Sequence, residues 1–308
     1  MRRGILIIAL AVAVWGCRQP RFTEPLKLAE GKTVAPEVLE DGRAAYLLYC
    51  YACHGEKGDG RGPAAPGMRP PPRDFTQGLF KFAGVPAGGL PNDDDLAALV
   101  KNGLDGTPML PWDVSERERQ AIVQFLKTFS PRWKEEAPAP RVLPDGPDPW
   151  QGKEPEAVEL GKRIYHFSGA KMSKEGQIEQ IFAGCSTCHP AYVGPQELRE
   201  LAKQTGVPPV EREDLYRPAA KETDYVVAEH KLVILPTDFL LQRVKTGTSL
   251  LALYRTIASG VGGTAMPVWK PPLGDRDLWA LAHYVKSLAD QRGTPGALAL
   301  QAQLNPRN

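Results

Sequence analysis

The chain has 308 residues, of which 24% are charged, and a formal net charge of +2 at pH 7. This length exceeds that of one typical domain, so two units that each bury a core fit it better than one. Residues 36–131 hold 10 Lys and Arg against 13 Asp and Glu, and residues 154–292 hold 17 against 17. Neither part is basic, which excludes a nucleic-acid-binding surface and predicts no nucleic-acid partner.

The N-terminal residues have the pattern of an export signal. Arg2 and Arg3 precede an apolar run over residues 5–14, which is shorter than the roughly 20 residues of a membrane-spanning helix. Cys17 follows in a context that resembles a bacterial lipoprotein cleavage box. We therefore expect a signal peptide over 1–17, lipidation of Cys17 and a tether over 18–35. An uncleaved signal that acts as the anchor, and cleavage by the ordinary signal peptidase, are the alternatives.

A doubled motif carries the chemistry of the chain. The sequence CYACH at residues 50–54 returns as CSTCH at residues 185–189. Two thiols three residues apart fall on one side of a helical turn, where both can form thioethers to one porphyrin while the adjacent histidine reaches its iron. The motif predicts two covalently bound haem c groups.

A zinc site or a pair of redox dithiols is the alternative interpretation of these cysteines. The C-x-x-C pairs of a zinc ribbon lie roughly 15 to 20 residues apart, whereas about 130 residues separate the two pairs here. A reactive dithiol needs no histidine directly after the second cysteine, yet both copies have one. Covalent haem is therefore favoured.

The repeat extends beyond the cysteine motifs. Residues 96–109 (LAALVKNGLDGTPM) return as 253–266 (LYRTIASGVGGTAM), and each copy is followed by a Pro and a Trp. Asp-Phe at 74–75 returns at 238–239, and Lys81 returns as Lys245. Apolar residues at helical spacing predict a closing helix in each copy, over 121–129 and 278–288. An internal duplication accounts for this pattern.

The repeat sets the predicted domain boundaries. We expect one domain over 36–131 and a second over 154–292. The segment between them, 132–153, is rich in proline and predicts a semi-rigid, extended linker. Residues 293–308 give weak structural signals and are predicted to be a C-terminal tail.

The methionines divide by their place in the repeat. Met109 and Met266 occupy equivalent loop positions after a Gly-Thr pair, which favours a role as thioether ligands of iron. Met68 and Met172 have no repeat partner and are interpreted as packing residues.

Taken together, these residues resemble the class I cytochrome c family, specifically bacterial diheme c-type cytochromes built from two tandem domains. The similarity covers nearly all of residues 36–130: a helix over about 37–50, CYACH, a glycine-rich stretch over 55–63, a helix near 93–102, Gly-Thr-Pro-Met and a closing helix. The resemblance implies an all-α fold with two tandem domains, each a small helical bundle around one haem.

The resemblance also implies the ligand sets. In the first domain His54 is the proximal ligand, Met109 the distal one, and the carbonyl of Pro63 a candidate acceptor for the other nitrogen of His54. The second domain has the same ligands in His189 and Met266. The residues predicted to bind haem are Cys50, Cys53, His54, Met109, Cys185, Cys188, His189 and Met266.

The second domain departs from the pattern through insertions, roughly 166–181 and 196–235, which lengthen the spacing before its haem motif and before its methionine. The glycine-rich stretch is missing, and Gly194-Pro195 is a candidate replacement for Gly62-Pro63, so the acceptor for His189 stays open. Three other histidines compete with the methionines as distal ligands. His283 is predicted to be a partly exposed helix residue, and one of His166 and His230 is retained as an alternative distal ligand.

Two axial ligands on each iron would leave no open site for a substrate, so the resemblance implies outer-sphere electron transfer and no catalytic residues. We expect a lipid-anchored protein on the periplasmic side of a bacterial membrane that carries single electrons between respiratory partner proteins. The sequence leaves open whether it is a free shuttle or a fixed subunit of a larger complex. A diheme peroxidase-like enzyme is the alternative function.

Overall fold

The computed structural model describes residues 20–305, apart from 168–169, 173–177, 182–183, 211 and 228–229. The predicted signal peptide and Cys17 lie outside these residues. Within the part of the chain that the structure describes, no helix combines the length and the apolar character needed to cross a membrane.

The N-terminal half, residues 36–131, is built from helices. They are α1 (Pro36–Tyr49), α2 (Tyr51–His54), α3 (Asp93–Asn102) and α4 (Glu116–Leu126), with a 3-10 turn over Lys127–Phe129 after α4. Pro36 starts α1 at a position where its missing N–H costs no hydrogen bond. Ser115 caps α4, since its hydroxyl accepts from the Glu118 N–H while the Glu118 carboxylate accepts from the Ser115 N–H. The three longer helices confirm the sequence predictions.

The C-terminal half, residues 154–292, repeats this helical frame and adds elements to it. Helices α6 (Glu154–His166), α8 (Leu250–Ser259) and α9 (Asp275–Asp290) correspond to α1, α3 and α4. The predicted insertions contain the additions: β3 (Ala170–Met172), β4 (Ile178–Ile181), α7 (Pro195–Thr205), β5 (Lys221–Val227) and β6 (His230–Ile234). Strand β3 pairs antiparallel with β4, and β5 pairs antiparallel with β6. The structure is mostly helical, which confirms the predicted fold class.

Short elements occupy the segments outside the two halves. Strands β1 (Leu26–Lys27) and β2 (Thr33–Val34) pair where the sequence predicted a tether, α5 (Arg132–Glu135) starts the linker, and α10 (Pro295–Leu304) occupies the predicted tail. Helix α10 has Thr294 as its cap, and Ala297 is fully buried against the core of the C-terminal half. Its sequence, PGALALQAQL, has no charged face, which is why its amphipathic pattern was weak.

A close crossing of the first and last helices defines each half. A Cβ added to Gly42 on α1 would lie 2.1 Å from the carbonyl oxygen of Ala121 on α4, and a Cβ added to Gly161 on α6 would lie 2.1 Å from that of Ala280 on α9. Neither crossing leaves room for a side chain. The two glycines are equivalent in the sequence repeat, so the same packing occurs in both halves.

Each crossing is surrounded by a buried aromatic and aliphatic core. In the N-terminal half the core beside α1 and α4 includes Tyr46, Ile122 and Phe125. In the C-terminal half it includes Tyr165, Leu278 and Leu281, together with residues of α8 and α10. Burial of such side chains stabilises each by about 1.5–3 kcal/mol relative to an exposed position, so each half has a core of its own.

The two halves contact each other through segments that are equivalent in the repeat. The Asp105 N–H donates to the Lys245 carbonyl at 3.1 Å, and the Gly262 N–H donates to the Lys81 carbonyl at 3.1 Å. The two hydrogen bonds are equivalent, because Lys81 corresponds to Lys245 and Asp105 to Gly262 in the repeat. In each of them, one half provides the N–H and the other half provides the carbonyl. An ion pair between Arg243 and Asp105, at 3.0 Å, lies beside the first of them.

The proline-rich linker packs against the C-terminal half. The Trp150 indole N–H donates to the Arg276 carbonyl at 2.9 Å, and Lys270 reaches Asp145 at 2.8 Å. His283 on α9 is buried, and its Nε2 lies 2.8 Å from a carboxylate oxygen of Asp148. The prediction of a partly exposed His283 was therefore wrong, because a linker residue 135 positions away covers it.

The helix crossings generate a stability prediction. We expect Gly42→Ala and Gly161→Ala each to lower the free energy of unfolding by about 1–3 kcal/mol, the usual cost of overpacking. Guanidinium denaturation of the haem-loaded protein measures this loss. Gly146→Ala is the matched control, since its added Cβ would meet nothing within 4 Å and should change stability little. Equal stability of all three variants would contradict the close crossing.

Candidate haem sites

The first C-x-x-C-H motif lies at the junction of α1 and α2. Cys50 ends α1, and its carbonyl accepts the N–H groups of Cys53 at 3.2 Å and His54 at 2.9 Å, which folds the motif into one helical turn. The buried Tyr46 hydroxyl donates to the Gly55 carbonyl at 2.7 Å and anchors the end of that turn. The motif is therefore held to the core of the N-terminal half by a hydrogen bond as well as by chain connectivity.

One pocket of the N-terminal half contains all four residues predicted to bind the first haem, namely Cys50, Cys53, His54 and Met109. Apolar side chains from several elements complete its wall, among them Phe75, Phe80, Leu96, Leu99, Val100 and Leu126. Met68, predicted to be a packing residue, also lines it. Two thiols, an imidazole and a thioether on the wall of an apolar pocket fit a covalently attached porphyrin with its iron.

The ring of His54 is held on two sides. Its Nδ1 lies 2.9 Å from the Arg73 carbonyl, and Phe75 stacks on it with the ring centroids 4.5 Å apart. Because Nδ1 is used in this way, Nε2 is the nitrogen available to iron. Burial lowers the pKa of His54, which favours the neutral ring that a metal ligand must be.

The predicted acceptor for His54, the carbonyl of Pro63, was wrong. The glycine-rich segment folds back along α2: the Gly62 N–H donates to the Cys53 carbonyl at 3.1 Å, and the Ala64 N–H donates to the Ala52 carbonyl at 2.8 Å. Pro63 is thereby aligned with the backbone of α2, and the carbonyl of Arg73, from a later loop, accepts from the ring instead.

The Met109 loop is shaped by its own hydrogen bonds. Gly103 ends α3 with φ 65°, and a Cβ there would lie 2.6 Å from the Met109 carbonyl oxygen. The Leu104 N–H donates to that carbonyl at 2.8 Å. The Thr107 hydroxyl donates to the Leu104 carbonyl at 2.8 Å and accepts from the Met109 N–H at 3.1 Å. Gly103 and Thr107, the threonine of the Gly-Thr pair, thus close the loop that places Met109 in the pocket.

The C-terminal half builds an equivalent loop around Met266. Gly260 ends α8 with φ 70°, and the Val261 N–H donates to the Met266 carbonyl at 3.3 Å. The Thr264 hydroxyl donates to the Val261 carbonyl at 2.7 Å and accepts from the Met266 N–H at 3.2 Å. Both loops therefore have the same bonds at matching positions.

The surroundings of His189 also repeat those of His54. Its Nδ1 lies 2.9 Å from the Thr237 carbonyl, and Phe239 stacks on it with centroids 5.1 Å apart. The Tyr165 hydroxyl donates to the Pro190 carbonyl at 3.0 Å, as Tyr46 does to Gly55. This answers the question that the sequence left open: Thr237 occupies the repeat position of Arg73, whereas Gly194 and Pro195 start helix α7.

The cysteines suit thioether formation better than zinc binding. Burial raises the pKa of Cys50 to about 12 and that of Cys185 to about 12, with a smaller contribution from the second cysteine of each motif. Zinc ligands and reactive dithiols require thiolates, which such burial disfavours. Cys185 and Met266 pack against the same apolar cluster of the C-terminal half.

His166 is occupied in another role. It is buried, its Nδ1 lies 2.8 Å from the Lys162 carbonyl, and its Nε2 accepts from the Tyr192 N–H at 3.3 Å. Burial lowers its pKa to about 4, so the ring is neutral. With both nitrogens engaged, His166 is a structural residue in this arrangement. The side chain of His230, the other alternative ligand, lies outside the described residues.

The two tyrosine anchors generate a paired prediction. Tyr46→Phe and Tyr165→Phe should each lower the free energy of unfolding by roughly 1–3 kcal/mol, because a buried carbonyl next to the haem motif loses its donor. Guanidinium denaturation of the haem-loaded variants measures the effect. Tyr51→Phe, at an exposed position of the same motif, is the control and should leave stability unchanged. A loss of stability in only one of the two anchors would contradict their equivalence.

Comparison with known proteins identifies the family of the chain. The family model for cytochrome C oxidase, cbb3-type, subunit III matches residues 37–126. A solved chain from the reducing HAO-like protein complex of Kuenenia stuttgartiensis is 31% identical, with a TM-score of 0.58 over 81% of this chain and 96% of that one. No curated protein matches the chain significantly. The helical fold, the haem motif in its pocket and these two similarities show that the chain belongs to the c-type cytochromes, proteins that bind haem c covalently and transfer electrons.

Proposed function

We propose that the protein is a diheme c-type cytochrome that carries single electrons between redox partner proteins. The observation that carries this proposal is the second occurrence, in the C-terminal half, of the complete arrangement found in the first. A C-x-x-C-H turn, a stacked histidine bonded to a backbone carbonyl, and a methionine loop closed by Gly and Thr occur in both halves.

Haem c supplies a one-electron couple between ferrous and ferric iron. His54 with Met109 would hold one iron, and His189 with Met266 would hold the other. A methionine ligand raises the reduction potential relative to two histidines, and an apolar wall disfavours the extra charge of the ferric form. Two protein ligands on each iron would leave no position on the metal for a substrate. We therefore propose electron transfer, and not catalysis, as the role of the protein.

The contact between the halves supports electron exchange within one molecule. Asp105 and Gly262, which make the two equivalent hydrogen bonds across the interface, each lie in a methionine loop. Each loop therefore touches the opposite half within a few residues of its proposed iron ligand. We infer that electrons pass between the two haems before they leave the protein.

We also propose a location and a class of partner. The apolar run before Cys17 supports export and a lipid anchor on the periplasmic side of a bacterial membrane. The matching family is named for an oxidase subunit, and the similar solved chain comes from a protein complex. Both names favour a cytochrome that works with a larger redox complex, as a bound subunit or as its electron shuttle.

Haem stoichiometry tests the diheme proposal. The purified protein should contain two haems per chain in an alkaline pyridine haem assay and a matching increase in mass. Replacement of Cys50 and Cys53 by alanine should leave one haem, and so should replacement of Cys185 and Cys188, because each pair holds one porphyrin. A single haem in the unaltered protein, lost with one pair only, would contradict a second haem site.

The methionine ligands are tested by spectroscopy. Met109→His and Met266→His should each remove about half of the sulfur-to-iron charge-transfer band near the red end of the spectrum, since each proposed thioether belongs to one of two irons. Each change should also lower the reduction potential of one haem, as two-histidine ligation does.

Met68→Leu is the matched control for this test, because Met68 lines the same pocket as Met109. It should keep the full charge-transfer band. Loss of the band in Met68→Leu, together with its retention in Met109→His, would assign the ligand to Met68 and overturn the proposed set.

A further inference from the structure

The pocket that contains His54 and Met109 is completed by residues of the other half. Tyr225 on β5 and Lys245, both from the C-terminal half, line it together with Arg73 and Lys81 of the N-terminal half. The Arg73 guanidinium lies 3.6 Å from the centroid of the Tyr225 ring, and the Lys81 ammonium lies 5.2 Å from it. Two cationic side chains thus lie over one aromatic ring where the halves join, and Lys245 lines the same pocket.

These three side chains carry positive charge that no ion pair among the described residues balances. Among the residues that the structure describes, none of them forms an ion pair with a carboxylate. Burial lowers the pKa of Arg73, and the charge of the adjacent Asp74 opposes this shift. The Asp74 oxygens, however, accept from Thr76 and Gln77 and form no ion pair with Arg73. Burying cations without a partner is costly, so the cluster is suited to an anionic ligand.

The electrostatics of the cluster agree with this geometry. Burial, together with the neighbouring charges of Arg73 and Lys245, lowers the pKa of Lys81 to about 8. Burial also lowers the pKa of Lys245. The cations repel one another in a site of reduced solvent access, which an anion placed between them would relieve.

We propose that Arg73, Lys81 and Lys245 form a carboxylate-binding site for the two acidic side chains of the haem in the N-terminal half. The C-terminal half therefore completes the first haem site. This inference rests on the proposed function, because it requires a haem in the pocket of His54 and Met109. Its ligand class follows from the cluster itself: a group with two carboxylates matches a site with three cations.

Tyr225 positions this cluster. Its hydroxyl donates to the Gly262 carbonyl at 2.6 Å, which fixes the ring next to the Met266 loop while Arg73 stacks on its face. Strand β5 belongs to the insertion that distinguishes the C-terminal half. This contact gives the insertion a role, because Tyr225 holds the Arg73 side chain against the C-terminal half. The same residue, Arg73, provides the backbone carbonyl that accepts from His54.

The two halves differ at this point. Lys81 and Lys245 are equivalent in the repeat, yet both line the pocket of the N-terminal half. The repeat position of Arg73 is Thr237, which has no charge. Positive charge near a haem favours its ferrous form, so the cluster raises the reduction potential of the first haem.

Spectroelectrochemical titration tests the proposal. Carried out in a Met266→His background, it separates the first haem from the second by potential. Lys245→Gln and Lys81→Gln should each lower the midpoint potential of the first haem, because a carboxylate that loses its cation stabilises the ferric state. Lys245→Arg, which keeps the positive charge, should have the same midpoint potential for the first haem as the protein with Lys245. Lys81 belongs to the N-terminal half and Lys245 to the C-terminal half. A similar fall in potential in both glutamine variants is therefore not explained by a looser contact between the halves.

Arg243→Gln is the matched control. Arg243 is a neighbouring cation that pairs with Asp105 across the same interface, but it does not line the pocket. It should leave the midpoint potential unchanged. A Lys245→Gln variant whose first haem keeps its potential, or shifts no more than in Arg243→Gln, would overturn the assignment.

The haem assay separates this failure from that of the proposed function. Absence of haem on Cys50 and Cys53 in the unaltered protein would refute the proposed function. If haem is present on those cysteines but its midpoint potential is unchanged in Lys81→Gln and Lys245→Gln, only the carboxylate site is refuted.

Discussion

Each half of this protein depends on a crossing of two helices at van der Waals contact of their backbones. Gly42 lets α1 touch α4, and Gly161 lets α6 touch α9. Because the C-x-x-C-H turn directly follows α1, the crossing sets where both thiols and the histidine lie relative to the core. In the C-terminal half residues 167–184 separate α6 from the second motif, yet the Tyr165 anchor holds the turn as Tyr46 does. Helix packing, and not loop length, therefore determines the position of the motif.

Backbone carbonyls, not charged side chains, hold the groups proposed to bind iron. His54 and His189 each use Nδ1 on a carbonyl and are stacked by a phenylalanine, and each methionine loop closes on its own backbone. A neutral acceptor orients the imidazole without adding a buried charge beside the metal. An apolar wall can then surround the porphyrin. In such a pocket the few charged side chains near the haem have a large effect on its reduction potential.

Those charges come from the contact between the halves. The equivalent hydrogen bonds of Asp105 and Gly262 give the interface an approximate two-fold character, but the side chains around it are unequal. Tyr225 and Lys245 reach into the N-terminal pocket, and Arg73 stacks on Tyr225. A duplicated unit has thus become asymmetric through an insertion in one copy. The two proposed haem sites can in this way acquire different reduction potentials.

The sequence alone determined the class of protein, the haem motif, the repeat and the helices of both halves, because these follow from chemistry and periodicity within short segments. Only the tertiary structure decided that Arg73 and Thr237, and not Pro63, accept from the histidines, that Asp148 buries His283, and that Lys245 lines the pocket of the other half. These contacts join residues far apart in the chain. They depend on how helices and loops pack together, and a local pattern contains no information about that packing.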